Sequence, residues 1–384
     1  MSRAAVKFAA TMFAALVMAA GAQADAQAAD PVRIGITTIL SGPFADRGQS
    51  EQYGAQLALD RINQSGGVLG RPVEAFYADN ACKPAIGVPA TQRLIEQEHV
   101  PVLIGALCTP VTHAIMPIVQ AAKVPLVIAT SAGQDFVDAS GAGGNDYAFK
   151  TIPSEVDIMR GLVQWLKSQN VKSVAVVADA AGFPHANLVA MAQAAKDAGM
   201  TVTAQETVPP GATNFAPLLE KLKGGAPDML LTALGSSTAG FFRAYEASGW
   251  KVPISGRIDF ATALGAVTPE FRAAGGLSGL SGITVFTPAL TTPGVRDFVA
   301  AYQAHYGLVP TQRSFFVYEA TYLVVDAIRR AGSDKPAAIQ DALKTTTMAS
   351  LLGGTYKMDE HNHPHTPLFI LRLQDGKPAV IATE

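Results

Sequence analysis

From Val32 onward this 384-residue chain repeats one arrangement: a short run rich in β-branched residues, then an alanine-rich stretch with apolar residues at helical spacing. Strands are expected over Val32–Ile39, Val73–Ala78, Val102–Leu107 and Val124–Thr130, with helices over Gln49–Gln64, Pro84–Glu98 and Pro110–Ala122 between them. The pattern resumes with strands Ser173–Ala178, Thr201–Val208, Asp228–Leu234 and Val252–Ser255. Helices near Ser154–Gln169, Asn187–Ala198, Phe215–Leu222 and Thr238–Ser248 separate them. Such alternation dictates an α/β chain whose parallel sheets carry helices on both faces.

The length suits two such units. Hydrophobic residues make up 49% and charged residues 16%, so two cores can be filled and disorder is not expected. A glycine cluster within Ser140–Asn145 reads as the end of the first unit and the crossing into the second. Another glycine-rich stretch, Gly275–Gly282, precedes a strand over Ile283–Phe286. Helices over Gly294–Tyr306, Phe316–Ala331 and Pro336–Lys344 follow. A hairpin then closes the chain: Leu368–Leu373, a turn at Asp375-Gly376, and Pro378–Ile381. The formal charge of −2, with no long run of one sign, argues against nucleic acid or an anionic membrane surface as partner.

The first residues read as a leader and not as part of the fold. Arg3 and Lys7 give a positive start, Phe8–Ala20 is apolar, and Ala22-Gln23-Ala24 offers small residues for cleavage after Ala24, with Ala28 as the second choice. A membrane anchor is the rival reading, but the apolar run is short. Cleavage removes two positive charges and leaves a mature charge of −4 in place of −2. The expected location is therefore the periplasm. In an exported chain the two cysteines, Cys82 and Cys108, read as one disulfide. The alternative, a metal pair, lacks the short CxxC spacing. The first cysteine lies far from the cleavage site, so a free protein is expected in preference to a lipoprotein.

Several segments taken in order carry a family resemblance. They are Ile39-Leu40-Ser41-Gly42-Pro43-Phe44-Ala45 after the first strand, Gly54–Asn63, Gly66–Arg71, Asp79–Pro84 around the first cysteine and Ile104–Thr109 around the second. Phe149-Lys150-Thr151, Asn214-Phe215 and Tyr318-Glu319-Ala320 follow in the same order. Across essentially the whole mature chain, the sequence resembles the leucine/isoleucine/valine-type periplasmic binding proteins of ABC transporters. The resemblance implies a type I periplasmic binding fold: two doubly wound α/β lobes with parallel sheets, joined by a three-crossover hinge, with ligand held between them. It implies lobe one at 30–149 plus 286–353 and lobe two at 150–285 plus 354–384. It also implies a small-molecule solute, an ABC permease as partner, no cofactor and a monomer.

The site residues follow from both lines. In open α/β sheets, ligands bind beyond the carboxyl ends of the strands. Thr109 suits a helix N-cap and Pro110 the first helical position, where free N–H groups favour a carboxylate. Family members use this position for a hydroxyl contact; a purely structural cap is the plainer reading. By the same resemblance Thr130, Ser131 and Ala132 supply backbone and hydroxyl contacts, or else form a turn with self-satisfied hydroxyls. Two positions depart from the family. Arg47 stands where branched-chain binders carry an aromatic residue. It either meets an anion or pairs with Glu51 at helical spacing. Phe183 stands where they carry a tyrosine; it can stack but cannot donate that hydrogen bond. In Ser255–Phe260, Asp259 corresponds to the family's acid for an α-ammonium, displaced by one residue. Arg257 there either binds a second carboxylate or forms an ion pair. With Asp259 inward an amino acid fits; with an arginine inward and Asp259 outward, a carboxylic acid without an ammonium fits better, such as an aromatic acid.

His361, His363 and His365 alternate and on a strand would share a face for zinc or copper, against a solvated loop. An enzyme is not expected. Gly235–Ala239 lacks the second glycine of a nucleophile elbow, and Gly66–Gly70 follows a helix where a dinucleotide fingerprint follows a strand. A ligand-sensing receptor component and, further off, an exported hydrolase are the alternatives.

Overall fold

The computed structural model describes residues 30–180 and 182–384. The leader reading, on residues 1–24, lies outside these residues. Thirteen helices and fourteen strands are arranged around two wholly parallel sheets among the described residues. The first sheet holds β1 (Val32–Thr38), β2 (Val73–Asp79), β3 (Leu103–Gly105), β4 (Leu126–Ile128) and β5 (Ala148–Lys150), in the order β2-β1-β3-β4-β5. The second holds β6 (Ser173–Asp179), β7 (Thr201–Val208), β8 (Met229–Ala233) and β9 (Ile254–Arg257), in the order β7-β6-β8-β9. In both, the first strand of the series sits inside the sheet and the order reverses beside it. That reversal opens a crevice at the carboxyl ends of the strands.

Burial explains why these runs are strands. Val32, Ile34 and Ile36 of β1 and all of β8 are buried, as strands covered by helices on both faces must be. The helices on the first sheet are α1 (Ala45–Gln64), α2 (Pro84–Glu96), α3 (Thr109–Ala122) and the short α4 (Gln134–Asp138). Those of the second are α5 (Glu155–Ser168), α6 (Gly182–Asp197), α7 (Ala216–Gly224), α8 (Thr238–Ser248), α9 (Phe260–Ala266) and α10 (Pro269–Ala273). A capping box starts α5: Ser154 accepts from the Asp157 N–H while the Asp157 carboxylate accepts from the Ser154 N–H.

The chain passes between the two units three times. The first passage joins β5 to α5. After β10 (Ser281–Thr284) the chain returns to the first unit for α11 (Pro293–Tyr306), α12 (Gln312–Ala331) and α13 (Pro336–Lys344). A small ribbon follows, β11 (Thr347–Ala349) with β12 (Thr355–Lys357). The last passage leads to β13 (Phe369–Gln374) and β14 (Lys377–Thr383), which extend β10 as an antiparallel sheet beside the second unit. Helix α12 lies close against α1 because Gly54 has no side chain: a Cβ there would sit 2.0 Å from the Ser314 carbonyl oxygen. The Cys82–Cys108 disulfide forms, with Cα atoms 5.4 Å apart, and ties the loop after β2 to the loop before α3.

Several expectations shift. The glycine cluster at Ser140–Asn145 does not end the first unit. It is a turn held by Asn145, whose amide donates to the Met116 carbonyl (2.7 Å), and β5 then pairs with β4 in the same sheet. Helices α1, α6 and α12 begin four or five residues earlier than periodicity suggested, because their first turns are polar or partly exposed. Strands β3 and β4 are shorter than expected. The histidine run is neither a strand nor a solvated loop. His363 is buried, its Nε2 lies 3.2 Å from an Asp157 oxygen and its Nδ1 3.3 Å from the Lys150 carbonyl. It links the third passage to the first.

Candidate functional site

On the first unit, the carboxyl ends of β1, β3 and β4 converge on the starts of α1 and α3. Gly42, with φ +83°, turns the chain sharply after β1 and delivers Phe44 and Arg47 to the rim. Arg47 does not pair with Glu51. It is exposed, and its guanidinium lies 4.6 Å from the centre of the Phe44 ring. Glu51 instead belongs to the buried stripe of α1 with Gly48, Ala55, Ala58 and Ile62, and only 1% of it is exposed. It accepts hydrogen bonds from Thr38 at the end of β1 and from Thr130 at the end of β4 (2.8 Å). Burial pushes the Glu51 carboxyl up to about 7, against the opposing pull of those two hydroxyls and of Arg313.

The expected hydroxyl donors are largely occupied. Thr130 donates to Glu51. Ser131 is buried, donates to the Ala106 carbonyl (2.7 Å) and lies 3.1 Å from Thr112 Oγ1, so it knits the ends of β3 and β4 together. The Ala132 carbonyl accepts from the Glu155 N–H (3.1 Å) at the start of α5. Thr109 is exposed and is the first helical residue of α3. Cys108 occupies the N-cap position without a side-chain cap, one residue earlier than expected.

On the second unit, Phe183 stands in the first turn of α6 with 46% of it exposed, and the Arg257 guanidinium lies 5.5 Å from its ring centre. Arg257 ends β9, is half-buried and donates to the Ile283 carbonyl (3.2 Å). Burial lowers it to about 10, and the negative charge of Glu155 opposes that shift. Among the described residues no carboxylate lies within salt-bridge distance of Arg257. Asp259 does not serve as an inward acid. It caps α9, with one oxygen accepting from the Thr262 N–H (3.0 Å) and the other from the Thr262 hydroxyl (2.7 Å). Beside Phe183, Asp179 is buried. One of its oxygens accepts from the Gly235 N–H (3.0 Å), and the other has no partner among the described residues.

Sequence reasoning missed Glu51 as a buried group, and with it Glu155, Asp179 and Arg313. Glu51 was legible: helical spacing through Gly48, Ala55, Ala58 and Ile62 places it on the apolar face. Near the first passage, Lys150 is fully buried and donates to the Ile152 carbonyl, and burial lowers its ammonium to about 7. Among the described residues no group of three His, Cys, Asp or Glu side chains is arranged to hold a metal ion.

Two doubly wound units are joined by three passages, with the expected site residues near the carboxyl ends of their strands. A sequence model described as periplasmic binding protein matches residues 31–378, and the chain belongs to that family. It is 27% identical over 356 residues to Leu/Ile/Val-binding protein homolog 3 of Brucella melitensis, covering 90% of this chain and 92% of the relative. The fold is similar to that of the branched-chain amino acid transporter substrate-binding protein LivJ of Streptococcus pneumoniae, solved with isoleucine (TM-score 0.75, 25% identity, 92% of this chain and 99% of that one). It is also similar to a solute-binding protein of an R. palustris ABC transporter, solved with 4-hydroxybenzoate (TM-score 0.74, 24% identity, 92% and 97%). The family is thus that of the periplasmic binding proteins, and the relative from Brucella melitensis is named for leucine, isoleucine and valine.

Proposed function

We propose that this protein captures a small carboxylic acid without an ammonium group, an aromatic acid best of all, for an ABC importer. The observation that carries the reading is Arg257. It is a desolvated guanidinium over an exposed phenyl ring, bonded to a neutral carbonyl, while the nearby Asp259 is committed to Thr262. A partly buried guanidinium without a carboxylate favours an anion, and a flat solute completes the stack on Phe183. At the start of α3, Pro110 has no N–H and those of Val111 and Thr112 donate to the Cys108 carbonyl, which leaves the Thr109 N–H as the helix-start donor for an anion. Because this fold holds isoleucine in one similar protein and 4-hydroxybenzoate in another, the side chains and not the fold choose the ligand. The closing units are taken as residues 30–149 with 286–353 and residues 150–285 with 354–384. Ligand contacting both favours the closed form. The periplasm, after removal of residues 1–24, is the proposed location, and an inner-membrane permease the partner.

One observation favours a second reading, an amino acid: the unpartnered oxygen of Asp179 would accept from an ammonium. Thermal shift of the mature protein, refolded once to strip carried-over solute, separates the two. The panel holds amino acids, aromatic acids, dicarboxylates and sugars. A solute at a hundred times its Kd adds about 2.7 kcal/mol. A raised midpoint with aromatic acids supports the proposal. A rise with amino acids alone transfers the role to Asp179 and overturns it.

A further inference from the structure

Each unit sets a guanidinium over an exposed phenyl ring near the carboxyl ends of its strands: Arg257 over Phe183, and Arg47 over Phe44. The first unit adds a second cation. Arg313 is the second residue of α12, and the close approach of α12 to α1 at Gly54 brings it beside Arg47 and Glu51. Helix α12 is fixed there by a capping box between Thr311 and Ser314, and the Thr311 hydroxyl lies 3.0 Å from that of Ser50.

Arg313 is half-buried, and its guanidinium has no hydrogen-bond acceptor and no carboxylate within salt-bridge distance among the described residues. The other half-buried arginines each have a partner, which for Arg257 is a neutral carbonyl and a ring and not an acid. Arg61 and Arg71 meet Asp297 and Asp334, Arg33 and Arg257 donate to carbonyls, and Arg372 lies over Trp165. Arg313 instead faces the like charge of Arg47. Burial first, and then that repulsion, weaken its hold on its proton, with Glu51 and Asp46 opposing. The acid best placed to compensate, Glu51, is held by the Thr38 and Thr130 hydroxyls. Two neighbouring cations with no committed anion form a receptor for one.

We propose that Arg47 and Arg313 form a second anion subsite in the crevice, so that the solute is a diacid, with one carboxylate on Arg257 and the other on the Arg47–Arg313 pair. This rests on the acid-binding reading above and narrows it to a class.

The test is calorimetric titration of stripped protein with benzoate, the three benzenedicarboxylates and leucine. At least one dicarboxylate should bind about 10–100-fold more tightly than benzoate, as expected for one added charge-assisted contact. Arg313→Gln should shrink that preference to within about threefold. Arg47→Gln, at an exposed position where folding is not at stake, should shrink it as well. Arg257→Gln should weaken every acid. If benzoate binds and no dicarboxylate binds better, or if the preference survives both Arg313→Gln and Arg47→Gln, the diacid proposal is wrong while the acid-binding reading stands. If leucine binds and none of the four acids does, both fall.

Discussion

The two walls of the crevice are built on opposite principles. On the first unit the polar side chains at the strand ends satisfy one another: Thr38 and Thr130 on Glu51, Ser131 on Ala106 and Thr112. A disulfide braces the adjoining loops. On the second unit the groups at the strand ends are, among the described residues, left unsatisfied or exposed: Arg257 without a carboxylate, Phe183 with nearly half its surface bare, Asp179 with one oxygen unpartnered. In the proposed site the first wall is a braced platform whose recognition falls to the arginines at its rim, and the second carries its recognition groups directly. A hydroxyl at a strand end is therefore no guide to ligand contact until its own partner is known.

The largest effect should come from removing the brace. Replacing both Cys82 and Cys108 by alanine should destabilise the protein by roughly 3–4 kcal/mol in denaturant unfolding, as closing a loop of this length predicts. If the first unit is the rigid one, it should then melt ahead of the second; simultaneous melting would erase the contrast.

Next comes a matched pair on the second wall. Arg257→Gln should weaken acid binding by about 10–100-fold, as loss of a charged hydrogen bond does. Asp259→Asn keeps part of the cap on α9 and should change affinity by no more than about twofold. An equal loss in both variants would return Asp259 to the site and reopen the amino-acid reading.

Glu51 sharpens the comparison through pH. Its folded value, about 7, lies above the ordinary 4.5, so the folded state holds this proton between those values and the unfolded state does not. Its contribution is thus fully present below about pH 4.5, fades as pH rises to about 7, and amounts to of the order of 3 kcal/mol over that window. Glu51→Gln should flatten that slope, measured by urea unfolding at pH 5 and pH 7.5. An unchanged slope would mean that Glu51 is not held in the dry platform.

The smallest effect is expected at Ser131. Ser131→Ala should cost about 1–2 kcal/mol of stability, since it leaves the ends of β3 and β4 without their tie. Acid affinity should move much less than it does in Arg257→Gln. A large loss of affinity with unchanged stability would make Ser131 a ligand contact after all.

The architecture was legible because it rests on local periods. Alternating β-branched runs and helical spacing placed every strand of both parallel sheets except β5, and α8 and α13 fall on the residues expected. Strand β5, Ala148-Phe149-Lys150, carries no β-branched residue, whereas the equally short β3 and β4 lie within longer runs of Val, Ile and Leu. Helices α9 and α10 are short pieces defined by caps, Asp259 and Thr268, and not by an apolar stripe. Apolar spacing marks helix α12 only from Phe316, which leaves Arg313 outside the expected helix. Its signal was the polar pair Thr311 and Ser314, a capping arrangement without the usual glutamate.

What the sequence determined by itself was the class of fold and the pairing of its two cysteines, because hydrophobic period and the presence of just two cysteines are properties of the chain read one segment at a time. Which side chains are free to meet a ligand was decided by tertiary structure alone. Arg47 and Glu51, four residues apart, part company because one lies on the exposed face of α1 and the other on the buried face beneath Thr130. Arg313 joins Arg47 only because Gly54 lets a helix from far along the chain settle against α1. A charge becomes a recognition group when folding removes its partners as well as its water, and that depends on contacts no single segment contains.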